Sequence, residues 1–203
     1  MTLTPLAPGY TPGATPARPI VVGLDTAIGS KTSSGTGIAS SAGWCEPVGY
    51  RDKTRPFSKL PHRERLNALT DLANRITLQL GQPDLVVMEL PAPSRAGGGA
   101  HERAWLWWEL YRWLDRHDIP VGLMTPNQRM LYATGKGTAA KTAVVDAVAR
   151  RWPAWATGGD DNLADAVVLM AAGMDHLGCP VTLMPQVNRA ALDKALWPEQ
   201  VSR

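Results

Sequence analysis

Two short apolar runs, each closed by an acid, constrain this chain more than any other feature. Ile20-Val21-Val22-Gly23-Leu24 is crowded with apolar residues at no helical spacing and ends in Asp25. Pro83-Asp84-Leu85-Val86-Val87-Met88 repeats the pattern and ends in Glu89. Continuous apolar runs of this length read as strands covered on both faces, as in the centre of an α/β sheet. If the two strands are parallel, Asp25 and Glu89 come side by side at the carboxyl edge, where open α/β sheets place their sites. A carboxylate at the tip of a buried strand costs several kcal/mol, roughly, unless a cation or a set of donors meets it. Asp25 alone can also be read as a cap of the following turn.

A third acidic element lies at Asp160-Asp161-Asn162-Leu163-Ala164-Asp165. It reads as a helix start with Asp160 or Asp161 as N-cap, and from Leu163 to Ala172 every residue except Asp165 is apolar. Capping explains Asp160 or Asp161 without any function. It does not explain Asp165, one turn into an apolar helix, and a metal ligand is the better reading there. Asp161 and Asn162 stand four and three residues before Asp165, within reach of its face.

Around these elements the chain reads as one domain, 20–178, with a Pro-rich disordered arm at 1–19 and an edge strand and tail at 179–203. A length of 203 residues with 44% hydrophobic content supports one core and is short for two. Asp25 is followed by a turn-rich linker, a second strand from Thr36 to Trp44 and a weakly written third around Val48 to Asp52, then a helix from about Pro61 to Leu80. Leu66, Leu69, Leu72, Ala73 and Ile76 share one face of that helix. After Glu89, Pro91 to Ala100 reads as a mobile loop beside the acidic edge, able to close over a ligand and carrying Ser94, Arg95 and Gly97-Gly98-Gly99. A helix from Glu102 to His117, a strand from Ile119 to Met124 and a short helix from Pro126 to Tyr132 follow. Thr138 is the expected cap of a helix running to about Trp152, with Lys141 in its first turn near amides that favour anions. Gly135-Lys136-Gly137-Thr138 lacks Walker A spacing, which excludes ATP binding there. Past Gly178, Cys179 to Met184 reads as a last edge strand and Gln186 to Arg203 as a loose helical tail.

A net charge of +3 and a pI near 9.0 are compatible with a nucleic-acid partner without requiring one. The densest basic run is Arg51, Lys53, Arg55, Lys59, His62, Arg63 and Arg65, which reads either as a solvated face or as phosphate contact. Cys45 and Cys179 have no partner at ligand spacing, so neither zinc nor a disulfide framework is expected and a reducing cytoplasm fits. No run of eighteen apolar residues and no leader pattern appear, so a cytoplasmic chain is expected, neither secreted nor in a membrane. In the helix from Glu102 to His117, Trp105, Trp107, Trp108, Tyr111 and Trp113 surround most of the surface and leave a narrow polar stripe. Core packing, stacking on unpaired bases and a subunit contact compete for that surplus. A two-fold dimer through Trp105, Trp108 and Tyr111 is the most economical.

In order and spacing, Gly23-Leu24-Asp25, Met88-Glu89, Pro126 through Gly135-Lys136-Gly137-Thr138-Ala139-Ala140-Lys141, and Asp161-Asn162-Leu163-Ala164-Asp165-Ala166 resemble the ribonuclease H-like nucleases. More narrowly they are similar to the RuvC-type Holliday junction resolvases, especially those carried by phages. The resemblance covers about Ile20 to Gly178. It implies an α/β fold with a mixed sheet, antiparallel hairpin strands followed by parallel ones, flanked by helices. It implies a homodimeric crossover junction endodeoxyribonuclease acting on four-way or other branched DNA. Asp25, Glu89 and Asp165 carry over as magnesium ligands and Lys141 as the basic residue near the cut phosphate. Two magnesium ions, with manganese able to substitute, suit such an all-oxygen set. The family usually has a carboxylate where this chain has Asn162, with Asp161 one residue earlier; either is a candidate to complete the second metal site. It often has a Lys in the short helix where this chain places Met130 next to Arg129. Arg63, Arg65, Arg95, Arg129, Lys136 and Lys141 are the expected DNA contacts.

Two other classes compete with this reading. A non-catalytic junction-binding scaffold of the same fold has no need of Asp25, Glu89 and Asp165 together. The hairpin after Asp25 also resembles that of actin-like kinases and ATPases, but Ala27 stands where that group needs Gly, and the chain is short for its paired domains.

Overall fold

The computed structural model describes residues 18–52, 54–91 and 99–199. The expected arm at 1–19 therefore falls almost wholly outside the described residues, as do Ser94, Arg95, Gly97 and Gly98 of the loop after Glu89 and the last residues of the tail. Both acid-tipped runs are strands: β1 is Val21–Asp25 and β4 is Leu85–Glu89. They lie parallel, with Val21 opposite Leu85 and Leu24 opposite Met88. β2 (Thr36–Ser40) runs antiparallel to β1, β3 (Trp44–Val48) antiparallel to β2, and β5 (Val121–Met124) parallel to β4. The sheet order is β3-β2-β1-β4-β5.

The hairpin differs from the sequence expectation. Thr36 to Trp44 is not one strand, because the chain turns back at Ser41-Ala42-Gly43, where the amide of Gly43 donates to the Ser40 carbonyl and Gly43 adopts φ +95°. The third strand is Trp44–Val48, not Val48 to Asp52. Pro47 masks it in sequence, but at the sheet edge a residue without an N–H is tolerated.

Alternation along the strands divides the core into two layers. Val22, Leu24, Ile38, Val86 and Met88 face α1 (His62–Leu80) and α2 (Ala100–Arg116). Val21, Ala39, Leu85 and Val87 face α5 (Asp161–His176), with α3 (Pro126–Thr134) and α4 (Lys141–Arg151) behind it. On α1, Leu69, Leu72, Ala73 and Ile76 are buried as expected, but Leu66 is 52% exposed. Thr138 does not cap α4; Ala140 holds that position with no side-chain cap, and Lys141 is the first helical residue.

α5 is buried from Leu163 to Asp175. It reaches the sheet this closely because two strand positions carry no side chain. A Cβ on Gly23 would stand 2.0 Å from the Ala166 carbonyl oxygen, and one on Gly37 would stand 2.1 Å from that of Asn162. The β1–β2 hairpin therefore touches the helix backbone to backbone.

After Gly178 the chain packs on the same core, burying Met184, Asn188, Ala191 and Leu192. Cys179 to Met184 forms no strand, contrary to expectation. The edge of β5 is met instead by Leu196, which exchanges both backbone hydrogen bonds with Leu123 at 2.7 and 2.9 Å. The expected helical tail is reduced to α6 (Gln186–Arg189) and a single 3-10 turn, Leu192–Lys194.

Candidate active site

Because Val21, Gly23 and Asp25 alternate onto one face, and Leu85, Val87 and Glu89 onto the same face of the parallel neighbour, both terminal acids point toward α5. Asp165 lies on α5 one residue before Ala166, the residue that meets Gly23. The backbone contact at Gly23 thus sets how near Asp165 stands to the tips of β1 and β4. Asp165 is buried, while Asp25 and Glu89 are half-buried at the rim.

The centre of the site is a residue expected elsewhere. Arg129 was expected on a phosphate-tracking surface; it is only 7% exposed and its guanidinium forks inward. Nε donates to Glu89 Oε2 and Nη1 to Asp165 Oδ1. The start of α3 aims it there. A capping box links Thr125 and Gln128, with Pro126 at the first turn, and the buried stripe of the helix is Arg129, Tyr132 and Ala133.

Asp25 is treated differently. Its carboxylate makes no hydrogen bond to any described residue. Burial, then the charges of Glu89 and Asp165, push it well above the usual carboxylate range, against the opposing pull of Arg129 and Lys141. Burial also pushes Asp165 up to about 7, although Arg129 pulls it down. With every acid ionised, the cluster would hold more negative charge than Arg129 and Lys141 neutralise.

Lys141 stands at the rim, 74% exposed, its Nζ 2.5 Å from Asp161 Oδ2. That hydrogen bond raises the Lys141 ammonium and lowers the Asp161 carboxyl. Asp160 is the N-cap of α5, accepting from the Leu163 amide at 3.0 Å. The amide nitrogen of Asn162, a candidate ligand through its oxygen, donates to the Gly35 carbonyl at 2.7 Å and the Ser33 hydroxyl at 3.2 Å. It clasps the β1–β2 connection onto the helix. Among the described residues, no three His, Cys, Asp or Glu side chains stand close enough to hold an ion in common.

Of the other expected DNA contacts, Arg63 and Lys136 are exposed, and Arg95 lies outside the described residues. Arg65 is committed to the fold. It donates to Glu102 at 2.6 Å and to the carbonyls of Ser58 and Leu60, and its guanidinium lies over the Phe57 ring. On α2, Trp108 is 63% exposed, while Trp105 and Tyr111 are half-buried. Trp107 is buried, stacks on Tyr111 and donates from Nε1 to the Glu89 carbonyl at 2.9 Å, tying α2 to the tip of β4. Sequence reasoning counted Trp107 among the surplus aromatics and missed that anchor.

A mixed five-stranded sheet of this order, with an antiparallel hairpin, two further parallel strands and helices on both faces, is the ribonuclease H-like fold. Among solved structures it is similar to RuvC. The Thermus thermophilus RuvC structure is 20% identical with a TM-score of 0.49, and covers 81% of this chain and 99% of that one. T. thermophilus RuvC in complex with a Holliday junction substrate is 21% identical with a TM-score of 0.51 over the same shares. No family model matches the chain, and no curated protein matches it. Among the described residues no helix is long and apolar enough to cross a membrane.

Proposed function

We propose that this chain is a divalent-metal-dependent endonuclease that cuts four-way or otherwise branched DNA, working as a homodimer joined through α2. The observation that carries the reading is the gathering of Asp25, Glu89 and Asp165 at the carboxyl edge of the sheet, with no described residue donating to Asp25. Its support on the substrate side is the likeness to a RuvC structure that holds a Holliday junction.

The donor set fits magnesium. It is all oxygen and carries excess negative charge, and magnesium is commonly held by one or two carboxylates with water filling the remaining positions. Asp25 would be the first ligand, joined by an oxygen of Glu89 or of Asp165 that Arg129 leaves open. The ion, when bound, supplies positive charge that activates water and stabilises a departing 3′-oxygen. Arg129 holds Glu89 and Asp165 in place, and Lys141 offers an exposed ammonium at the rim for a phosphate. Arg63 and Lys136 are available for flanking phosphates.

The test is incision of a labelled panel of branched and linear DNAs with magnesium or manganese. Branched substrates should be cut, and Asp25→Asn should abolish cutting while keeping junction binding. Undiminished cutting by that variant, or no cutting of any branched DNA by the unaltered chain, refutes the proposal.

A further inference from the structure

We infer that Arg129 takes the place of a second metal ion, so that the chain binds a single divalent cation at Asp25 and uses the guanidinium as its other positive charge. This deepens the nuclease reading and rests on it. Arg129 is buried, and one planar fork reaches two acids on different elements, Glu89 at the tip of β4 and Asp165 on α5. A cation bridging those two carboxylates would have to sit where the guanidinium already is. Unlike a buried lysine, an arginine cannot leave the space by losing its proton.

The charges agree. With all three acids ionised, as a bound cation would keep them, Asp25, Glu89 and Asp165 carry three negative charges, and Arg129 offsets one; Asp161 and Lys141 are already paired with each other at 2.5 Å. One divalent ion neutralises what remains, whereas two would leave the site positive. The residue types agree as well. Where a further carboxylate would help a second ion, the chain has Asn162, whose amide carries no charge to offset one.

The placement of Arg129 is built in by its own helix. Thr125 Oγ1 accepts from the Gln128 amide at 3.3 Å, and Gln128 Oε1 accepts from the Thr125 amide at 2.7 Å. Gln128 of the capping box directly precedes Arg129, and the Arg129 amide donates to the Thr125 carbonyl at 3.0 Å. Arg129 is therefore a positioning residue, acting through the carboxylates it holds.

The number of bound ions decides the matter. Manganese is titrated into the full-length chain and counted by electron paramagnetic resonance. This is done with the chain free and with it bound to a four-way junction whose arms carry phosphorothioate linkages to slow cutting. The expected result is one ion per chain with the spectrum of an isolated manganese, and a second, exchange-coupled ion in Arg129→Met. Two coupled ions on the unaltered chain overturn the inference, as does a folded Arg129→Met that still binds only one. If Arg129→Met fails to fold, the count on the unaltered chain decides, one supporting and two overturning. Two ions with incision intact defeat only the role given to Arg129. No bound ion together with no incision defeats the nuclease reading itself.

Discussion

Replacing Arg129 by Met, without added metal, should destabilise the chain by an amount that depends on pH in a defined direction. The Arg129 side chain is 8% exposed and its partners Glu89 and Asp165 are 16% and 9% exposed. Removing one partner of a buried ion pair costs about 3–5 kcal/mol, chiefly through the charge left behind. Here one guanidinium serves two carboxylates, and Met fills much of its volume, so the loss is electrostatic more than a cavity effect. Asp165 can relieve part of it by taking up a proton. In the folded chain its carboxyl is pushed up to about 7, against roughly 3.9 for an unfolded Asp. The folded state thus keeps a proton that the unfolded state has released, and stability declines as pH rises across that window. Without Arg129, which pulls Asp165 down, the window extends upward. The variant should therefore lose about 3–5 kcal/mol near pH 8 and clearly less near pH 5.5. For a chain of this size the larger loss lowers the melting temperature by roughly 6–20 °C. Urea and thermal unfolding followed by circular dichroism in a chelator, at both pH values, make the comparison. A loss below about 1 kcal/mol near pH 8, or an equal loss at the two pH values, refutes the buried fork as a source of stability.

Gly23→Ala should lower stability by at least about 1–3 kcal/mol, because the added Cβ meets backbone atoms of α5 at 2.0 and 2.5 Å that have no side-chain freedom to move; an unchanged melting temperature would show that α5 is not held this close to β1. Arg63→Ala with Lys136→Ala should weaken junction binding and flatten its dependence on salt by a slope of about one per lost phosphate contact. Arg65→Ala should instead cost about 1–3 kcal/mol of stability with little change in that slope, since Arg65 is spent on Glu102, Ser58 and Leu60; a flattened slope for Arg65→Ala alone would reverse the assignment. Trp108→Glu should convert a dimer to a monomer in light scattering at micromolar concentration, and a monomer before substitution, with or without junction DNA, would remove α2 as an interface.

The acids of the site were legible because each breaks an apolar pattern. Asp25 and Glu89 end runs that are otherwise covered on both faces, and Asp165 is the lone charge in a buried helix. The loop that Asn162 clasps was not legible, since a side-chain amide bound to a backbone carbonyl leaves no trace in periodicity. Arg129 lies between these cases. The resemblance draws it among the DNA contacts, since it neighbours Met130, where the family often has a Lys. Yet Arg129, Tyr132 and Ala133 fall at the first, fourth and fifth positions of one helical stripe, and that stripe is the buried one. A charged residue on an apolar stripe needs an opposite charge inside the fold, just as three acids on apolar elements need a cation. Each pattern, read alone, leaves an unmet charge. Read together they meet each other's need, and the pairing of Arg129 with the acids follows from helical periodicity and charge before any distance is known.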